Sequence, residues 1–352
     1  MDIRADLTDL IPYSAGKSVA GAIKLSSNEN PLGPSPKALE AIRQALNSIA
    51  LYPDGRALEL CNALAEKMGL STDQIVIGNG SDELLVLTAQ AYIQPGFNAV
   101  ASESTFSEYT FGVRLAGGTL KKAPLKDGFF DLEALAALID DKTRIVYLCN
   151  PNNPTGTYFT ATQLDTFLKK VTQDVLIVLD EAYIDYVDEV DFPHSLEVLA
   201  RDSRILITRT FSKIYGLAAL RVGAAFASPT IISHLLTVKQ PFNSGTLSIK
   251  AATAALGDSE YWNESRTTNR EQRKLLQAAL RERGLPFYPS QANFVCFDTS
   301  RDASELFHNL QKLGVSIRPL ASFGLPTWIR VTVGTKEQNQ AFLLALDKAL
   351  SL

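Results

Sequence analysis

Short runs that are apolar almost throughout recur along the middle of this chain with helix-length stretches between them, and no other feature restricts its fold as strongly. They are Ile75 to Gly78, Ala99 to Ala101, Arg144 to Cys149, Val175 to Leu179, Arg204 to Thr208 and Val222 to Ala227. A strand with one face in water alternates apolar and polar side chains, whereas a strand covered on both faces does not. Amphipathic stretches from Asn79 to about Ile93 and near 131–139, 160–171 and 229–239 supply the covering layers. The expectation is an α/β fold with a doubly wound, mostly parallel sheet, whose ligands lie at the carboxyl ends of the strands.

The flanking segments read differently. Residues 1–36 are rich in Pro, Gly, Ser and Asn and are expected to form an extended N-terminal arm. Gly16-Lys17-Ser18 within it is like the end of a phosphate-binding loop, but that motif needs a glycine where Ile11 stands, so nucleotide binding is rejected. Ser35-Pro36 opens a helix through Ala50, the turn Leu51 to Arg56 ends it, and a second helix runs from about Ala57 to Met68. After about Asn243 helices dominate, including a long one from roughly Tyr261 to Arg283. Apolar stretches at Asn293 to Phe297, Val315 to Arg318 and Trp328 to Val333 follow, with a helix near 303–313 and a terminal helix from Lys336. That order suits a smaller α+β unit. The expected division is therefore an arm over 1–36, a large domain over 37–243 and a small one over 244–352.

Composition removes several classes of function. With 46% hydrophobic and 20% charged residues, general disorder is excluded. A net charge of -4 with dispersed basic residues offers no footprint for nucleic acid or an anionic membrane. No apolar run approaches the roughly 18 residues of a membrane span, and Met1-Asp-Ile-Arg-Ala-Asp is no signal peptide, so a cytoplasmic location is expected. Cys61, Cys149 and Cys296 stand singly in apolar surroundings as reduced thiols, and His194, His234 and His308 are too dispersed for a metal.

Polar loops follow the expected strands and hold residues that an empty scaffold has no use for. Gly80-Ser81-Asp82 opens a helix, where free N–H groups and the positive dipole end make an anion site, unless these residues only cap the helix. Asn150-Pro-Asn-Asn-Pro-Thr-Gly156 is a rigid turn that fixes the Asn153 amide between two prolines. Asp180 and Glu181 come directly after an apolar strand, where a carboxylate needs a cation. Lys213 lies among Phe211, Ser212, Ile214 and Tyr215, surroundings that favour a neutral amine, which is nucleophilic toward carbonyl carbon. Thr210, Ser212 and Arg221 suit a phosphate. One ligand accounts for all of these loops: a planar heteroaromatic aldehyde with a phosphate, a ring nitrogen that wants a proton, and a hydroxyl beside the aldehyde. Pyridoxal phosphate has that description.

At these residues the chain resembles a known family. Asn150-Pro-Asn-Asn-Pro-Thr-Gly156, Asp180-Glu-Ala-Tyr183 and Thr210-Phe-Ser-Lys213 followed by Arg221 are similar to the fold-type I, aspartate-aminotransferase-like enzymes. Asn28-Glu-Asn-Pro31, Leu51-Tyr-Pro-Asp-Gly55, Gly80-Ser-Asp-Glu83 and Arg330-Val-Thr-Val-Gly334 resemble the histidinol-phosphate aminotransferase branch, in order and over nearly the whole chain. The resemblance implies a homodimer with pyridoxal 5'-phosphate. Its substrates would be a phosphorylated amino alcohol, L-histidinol phosphate, and a 2-oxo acid, 2-oxoglutarate. Aromatic aminotransferases and threonine-phosphate decarboxylase share most of these motifs. The non-enzyme alternative is a regulatory module that binds the cofactor without turnover, against which stands the lack of a basic helix or DNA-binding appendage.

The same resemblance implies roles. Lys213 holds the cofactor as an imine and shuttles the proton, Asp180 pairs with the pyridinium nitrogen, and Asn153 and Tyr183 bond the ring hydroxyl. Gly80, Ser81, Asp82, Thr210, Ser212 and Arg221 hold the phosphate, with Tyr52 reaching it from a second subunit. Phe106 stands where the family usually stacks a tyrosine on the ring, which removes a hydroxyl and keeps the aromatic face. Tyr13, Asn30, Arg318 and Arg330 fall on the substrate side, where two guanidinium forks suit a phosphate dianion.

Overall fold

The computed structural model describes Ile3, Arg4, Leu7, Thr8, Leu10, residues 21–171 and residues 174–351. In chain order these form β1 (Ile23–Lys24), α1 (Pro36–Ala45), α2 (Leu58–Met68), β2 (Ile75–Gly78), α3 (Gly80–Tyr92), β3 (Asn98–Ser102), α4 (Glu108–Leu115) and β4 (Thr119–Ala123). Next come β5 (Leu125–Lys126), β6 (Phe129–Phe130), α5 (Leu132–Ala137), β7 (Thr143–Cys149), α6 (Ala161–Lys170), β8 (Leu176–Asp180), α7 (Ser195–Arg201), β9 (Ile205–Thr210), β10 (Gly223–Ala227) and α8 (Pro229–Val238). The chain continues with α9 (Thr246–Leu256), α10 (Ser259–Glu282), β11 (Phe294–Asp298), α11 (Ala303–Lys312), β12 (Val315–Ser316), β13 (Arg318–Pro319), β14 (Trp328–Thr332) and α12 (Lys336–Leu350). No helix among the described residues is long and apolar enough to cross a membrane.

The apolar runs singled out in the sequence are strands of one seven-stranded sheet, ordered β2-β10-β9-β8-β7-β3-β4. From β9 to β4 every neighbouring pair is parallel, while β10 runs antiparallel to both β2 and β9. The reversal of β10 leaves no mark in its sequence, because Gly-Ala-Ala-Phe-Ala is buried on both faces and reads alike in either direction. β4 went unread for the opposite reason. It lies at the sheet edge, where Thr119-Leu-Lys-Lys-Ala123 presents lysines to water and blunts the unpaired edge.

Helix starts follow local chemistry. Ser35 Oγ accepts from Ala38 N ahead of Pro36 in α1, and Ser228 with Pro229 repeats the device at α8. Thr160 and Gln163 close a capping box at the start of α6.

Two hydrophobic clusters result. The larger surrounds the seven-stranded sheet, with Leu84, Val146, Val178, Ile207 and Phe226 among its members, and includes Ala251, Ala252 and Ala255 of α9. The smaller gathers Leu276, Val295, Ile329 and Phe342 around the antiparallel sheet β11-β14-β13. Leu25 belongs to this second cluster, because β1 pairs in parallel with β12 through Ile23 and Val315. The residues that follow cross the seam between the clusters. Asn28 N donates to Thr332 Oγ1 at 2.9 Å, and Asn28 Nδ2 donates to the Tyr183 hydroxyl at 3.0 Å.

Candidate active site

The carboxyl ends of β7, β8 and β9 stand level, since Cys149 pairs with Asp180 and Asp180 with Thr208. Asp180, 2% exposed, therefore faces the seam from the middle of the sheet. Its Oδ2 accepts from the Tyr109 hydroxyl at 2.6 Å, and its Oδ1 accepts from Thr208 Oγ1 at 3.2 Å and Ala182 N at 3.3 Å. Burial pushes this carboxyl up to about 6, against the pull of the Tyr109 hydrogen bond. Alternation along the strand sends the next side chain to the other face, where Glu181 Oε2 accepts from Arg209 Nε at 3.0 Å. Among the described residues, the acidic pair thus splits into one carboxylate already satisfied by a cation and one that is not.

The asparagine-rich loop after β7 divides its labour in the same way. Asn150 clamps the Phe159 backbone from both its oxygen and its nitrogen, and Asn152 accepts from Thr105 Oγ1 while donating to Ser104 O and Thr155 Oγ1. The Asn150-Pro151 and Asn153-Pro154 peptides are both cis. Among the described residues the Asn153 side chain is held by Arg330 alone, whose Nη1 donates to Asn153 Oδ1. Because a guanidinium only donates, that bond fixes which end of the amide is oxygen and leaves Nδ2 as a donor toward the seam.

Lys213 Nζ donates to Ser27 O at 3.4 Å and lies 5.6 Å from the centre of the Tyr183 ring. Burial first, and the Arg330 guanidinium second, pull its pKa down from 10.5 to about 8. Tyr183 itself is buried, with its ring edge-on to Phe294 and its hydroxyl proton left to donate while the oxygen accepts from Asn28.

At the start of α3 the first N–H groups have no intrahelical acceptor and form one wall of a polar cradle. Arg221 Nη2 donates to Asp82 Oδ2 at 2.9 Å, and its Nη1 donates to Ser212 Oγ at 3.4 Å and Ala218 O at 3.0 Å. Thr210 Oγ1 accepts from Ser212 N at 3.1 Å and shapes the loop from within. A Cβ on Gly80 would come within 2.4 Å of Arg221 Nη2, and one on Gly223 within 2.4 Å of Ser81 N. Only with these glycines does the guanidinium lie against the helix start, so a hydroxyl, a cation and backbone donors converge where an anion fits. These residues, with Asp180 and Lys213, fit pyridoxal phosphate: a cradle for its phosphate, a buried acid for its ring nitrogen and an amine for its aldehyde.

On the far side of the seam, β13 and β14 set Arg318 directly opposite Arg330. Opposed residues of an antiparallel pair project from the same face. Arg330 is 7% exposed and also donates through Nη2 to Ser26 O at 3.0 Å, whereas no hydrogen bond or ion pair holds Arg318 among the described residues.

The remaining candidates sit in varied places. Asn30 spends its amide internally, donating to Ile214 O and Ser265 Oγ and accepting from Leu32 N. Phe106 meets the Tyr109 ring edge-on. Tyr52 is 84% exposed, stacked on Phe242 at 4.8 Å, and is not held in the seam of its own chain. Tyr13 lies outside the described residues. Sequence reasoning missed Asn28, Tyr109 and Thr208. The spacing of Phe106 and Tyr109 at a helix start was a usable signal for the second, but nothing local links Asn28 to a hydroxyl 155 residues away.

The sequence pattern of the family described as Aminotransferase class I and II matches residues 20–346. Histidinol-phosphate aminotransferase 2 of Pseudomonas fluorescens Pf0-1 is 46% identical over 97% of this chain and 95% of that protein. The histidinol-phosphate aminotransferase of Moorella thermoacetica is 45% identical over 99% of this chain and 93% of its own length. Among solved structures, the histidinol-phosphate aminotransferase from Sinorhizobium meliloti in complex with pyridoxal-5'-phosphate is similar with a TM-score of 0.88 at 31% identity, over 94% of this chain and 91% of that one.

Proposed function

Because this chain belongs to the class I and II aminotransferase family, we propose that it moves an amino group between L-histidinol phosphate and 2-oxoglutarate, a step of histidine biosynthesis, with pyridoxal 5'-phosphate as cofactor. The products are imidazole acetol phosphate and L-glutamate. One observation carries the choice of substrate: the pairing of Arg318 with Arg330 across β13 and β14. Like charges directly opposite one another destabilise a sheet. A dianion between them reverses the sign, and a phosphate ester offers the oxygens for two guanidinium forks.

The cofactor supplies an electron sink that lets a proton leave the carbon bearing the amino group. The chain supplies the rest. Lys213 Nζ, with a proton affinity lowered by burial and by Arg330, takes and returns that proton near neutral pH. The Asp180 carboxylate offers its charge to the ring nitrogen, and Asn153 Nδ2 and the Tyr183 hydroxyl offer donors to the ring oxygen. Ser212, Arg221 and the start of α3 hold the cofactor phosphate, while Arg318 and Arg330 hold the substrate phosphate at the other side of the seam.

The active assembly in this reading is a cytoplasmic homodimer. Leu46, Ile49, Leu51, Tyr52, Leu58 and Phe242 each leave a large apolar side chain exposed on one chain, and Tyr52 stacks on Phe242; covering such side chains with a second subunit supports the dimer. In that dimer Tyr52 reaches the partner's phosphate cradle.

Comparing L-histidinol phosphate with L-phenylalanine as amino donor tests the assignment. The wild type should prefer the phosphate ester. Arg318→Ala should lose about 2 to 3 kcal/mol in kcat/KM on histidinol phosphate, the worth of a charge-assisted bond in a desolvated site, and much less on phenylalanine. Equal losses, or a wild-type preference for phenylalanine, would move the chain to the aromatic aminotransferases.

A further inference from the structure

Helix α4 carries a buried side chain to which the reaction as derived gives no part. Tyr109 is 0% exposed and lies one helical turn after Phe106. Its hydroxyl donates to Asp180 Oδ2 at 2.6 Å, its ring meets the Phe106 ring edge-on at 5.9 Å and 87°, and its other side stacks on Tyr147 at 4.5 Å and 9°. We propose that Tyr109 is the positioning residue for the cofactor ring, holding through its hydroxyl the carboxylate that serves the ring nitrogen and through its ring the aromatic side chain that covers the ring face. This inference rests on the aminotransferase reading and adds a residue to it.

The carboxylate plane is set by what each oxygen accepts. Oδ1 is held by Thr208 Oγ1 and Ala182 N, both beyond 3.1 Å, and among the described residues Oδ2 is held by Tyr109 alone at the shortest distance of the three. A phenol donates to an ionised carboxylate and so favours its charged form. Other groups face Asp180 from each packed element. Asp82 from α3 raises its proton affinity, Thr208 from β9 lowers it, and Cys149 from β7 and Tyr183 from the next loop stay neutral because burial pushes both upward. Tyr109 is thus the chief hydrogen-bonding counterweight to burial and to Asp82. Loss of its hydroxyl lets Asp180 take the proton that belongs on the ring nitrogen, which weakens the electron sink without removing a contact to the cofactor.

The neighbouring ring provides the control. The Tyr147 hydroxyl is buried with no hydrogen-bond partner, so Tyr147→Phe removes an equivalent atom from the same stack and leaves Asp180 untouched. Full-length Tyr109→Phe and Tyr147→Phe are prepared with and without pyridoxal phosphate. The Asp180 carboxyl is followed by carbon-13 NMR of labelled aspartate in the cofactor-free protein, assigned by Asp180→Asn, and the pH profile of kcat/KM is measured in the loaded enzyme. Tyr109→Phe should move the Asp180 midpoint up by about one pH unit, move the acid limb of the profile in the same direction, and lower kcat/KM about tenfold. Tyr147→Phe should do none of these. If both variants behave alike, or if Tyr109→Phe leaves the midpoint in place, the proposal is overturned while wild-type transamination stands. If wild type transfers no amino group, the underlying reading fails instead, and the NMR comparison still judges Tyr109. Should Tyr109→Phe not fold, Thr208→Val serves: a shift smaller than half a unit supports Tyr109 as the main donor, and a full unit refutes it.

Discussion

Asp180 and Lys213 are pushed toward each other in proton affinity, the acid up to about 6 and the amine down to about 8, with burial the largest cause for both. Both shifts destabilise the cofactor-free protein, and their signs give pH windows. The folded chain binds the Asp180 proton more tightly than an unfolded chain at 3.8, so the cost is absent below pH 3.8, grows on the way up and is complete above about 6. Lys213 works in the same sense, with its cost complete below about 8 and gone above 10.5. Asp180→Asn should therefore stabilise the cofactor-free protein at pH 7.5 by on the order of 2 to 3 kcal/mol, and hardly at all at pH 3.5, while lowering activity of the loaded enzyme more than tenfold. Denaturant melts of both proteins at the two pH values check this. Equal stability at pH 7.5 would mean the carboxylate is solvated or already paired. Both residues are legible as candidates in the sequence, Asp180 because it follows an apolar strand and Lys213 because Phe211, Ile214 and Tyr215 surround it; the contact of Asn28 is not, because its partner Tyr183 lies 155 residues away.

At the scale of elements, the start of α3 depends on a glycine for position as well as for turning. Gly80 sits at φ +84°, and a Cβ there meets the tip of Arg221 at 2.4 Å. A guanidinium on a flexible stem can swing away, so the fold survives and the cradle loses its cation. Gly96 offers the comparison, with φ +91° and nothing within 4 Å of an added Cβ. Gly80→Ala and Gly96→Ala should each lose roughly 1 to 2 kcal/mol of stability from backbone strain. Gly80→Ala should in addition bind pyridoxal phosphate at least tenfold more weakly, as read by equilibrium dialysis. If the two variants bind the cofactor equally well, Arg221 does not owe its place to Gly80. The strand β13 teaches the complementary lesson: Val315 to Arg318 reads as one apolar stretch, but it splits, with Val315–Ser316 pairing to β1 and Arg318–Pro319 to β14.

At the scale of the whole molecule, one chain presents Tyr52 outward, stacked on Phe242. Mixing a Tyr52→Phe chain with a Lys213→Ala chain tests whether sites are shared. A heterodimer then puts both lesions in one site and leaves the other whole, so activity should return toward about a quarter of wild type at equal mixing, from half the dimers being mixed and half their sites intact. Activity no higher than the sum of the parents would mean that each chain serves itself.

The sequence by itself determined six of the sheet's seven strands, several of its covering helices and which polar residues stand at the strand ends, because those follow from local pattern: unbroken apolar runs, Ser-Pro helix starts, and polar residues placed where a strand stops. Only the tertiary structure decided which face each polar residue takes and what it meets. Glu181 is neutralised by Arg209 while Asp180 is not, Arg330 orients Asn153, Tyr109 grips Asp180, and Leu25 joins a core built mostly from residues beyond 275. Each of these is a contact between segments far apart in the chain, and its energy depends on burial and on distances of about 3 Å, which no local spacing encodes.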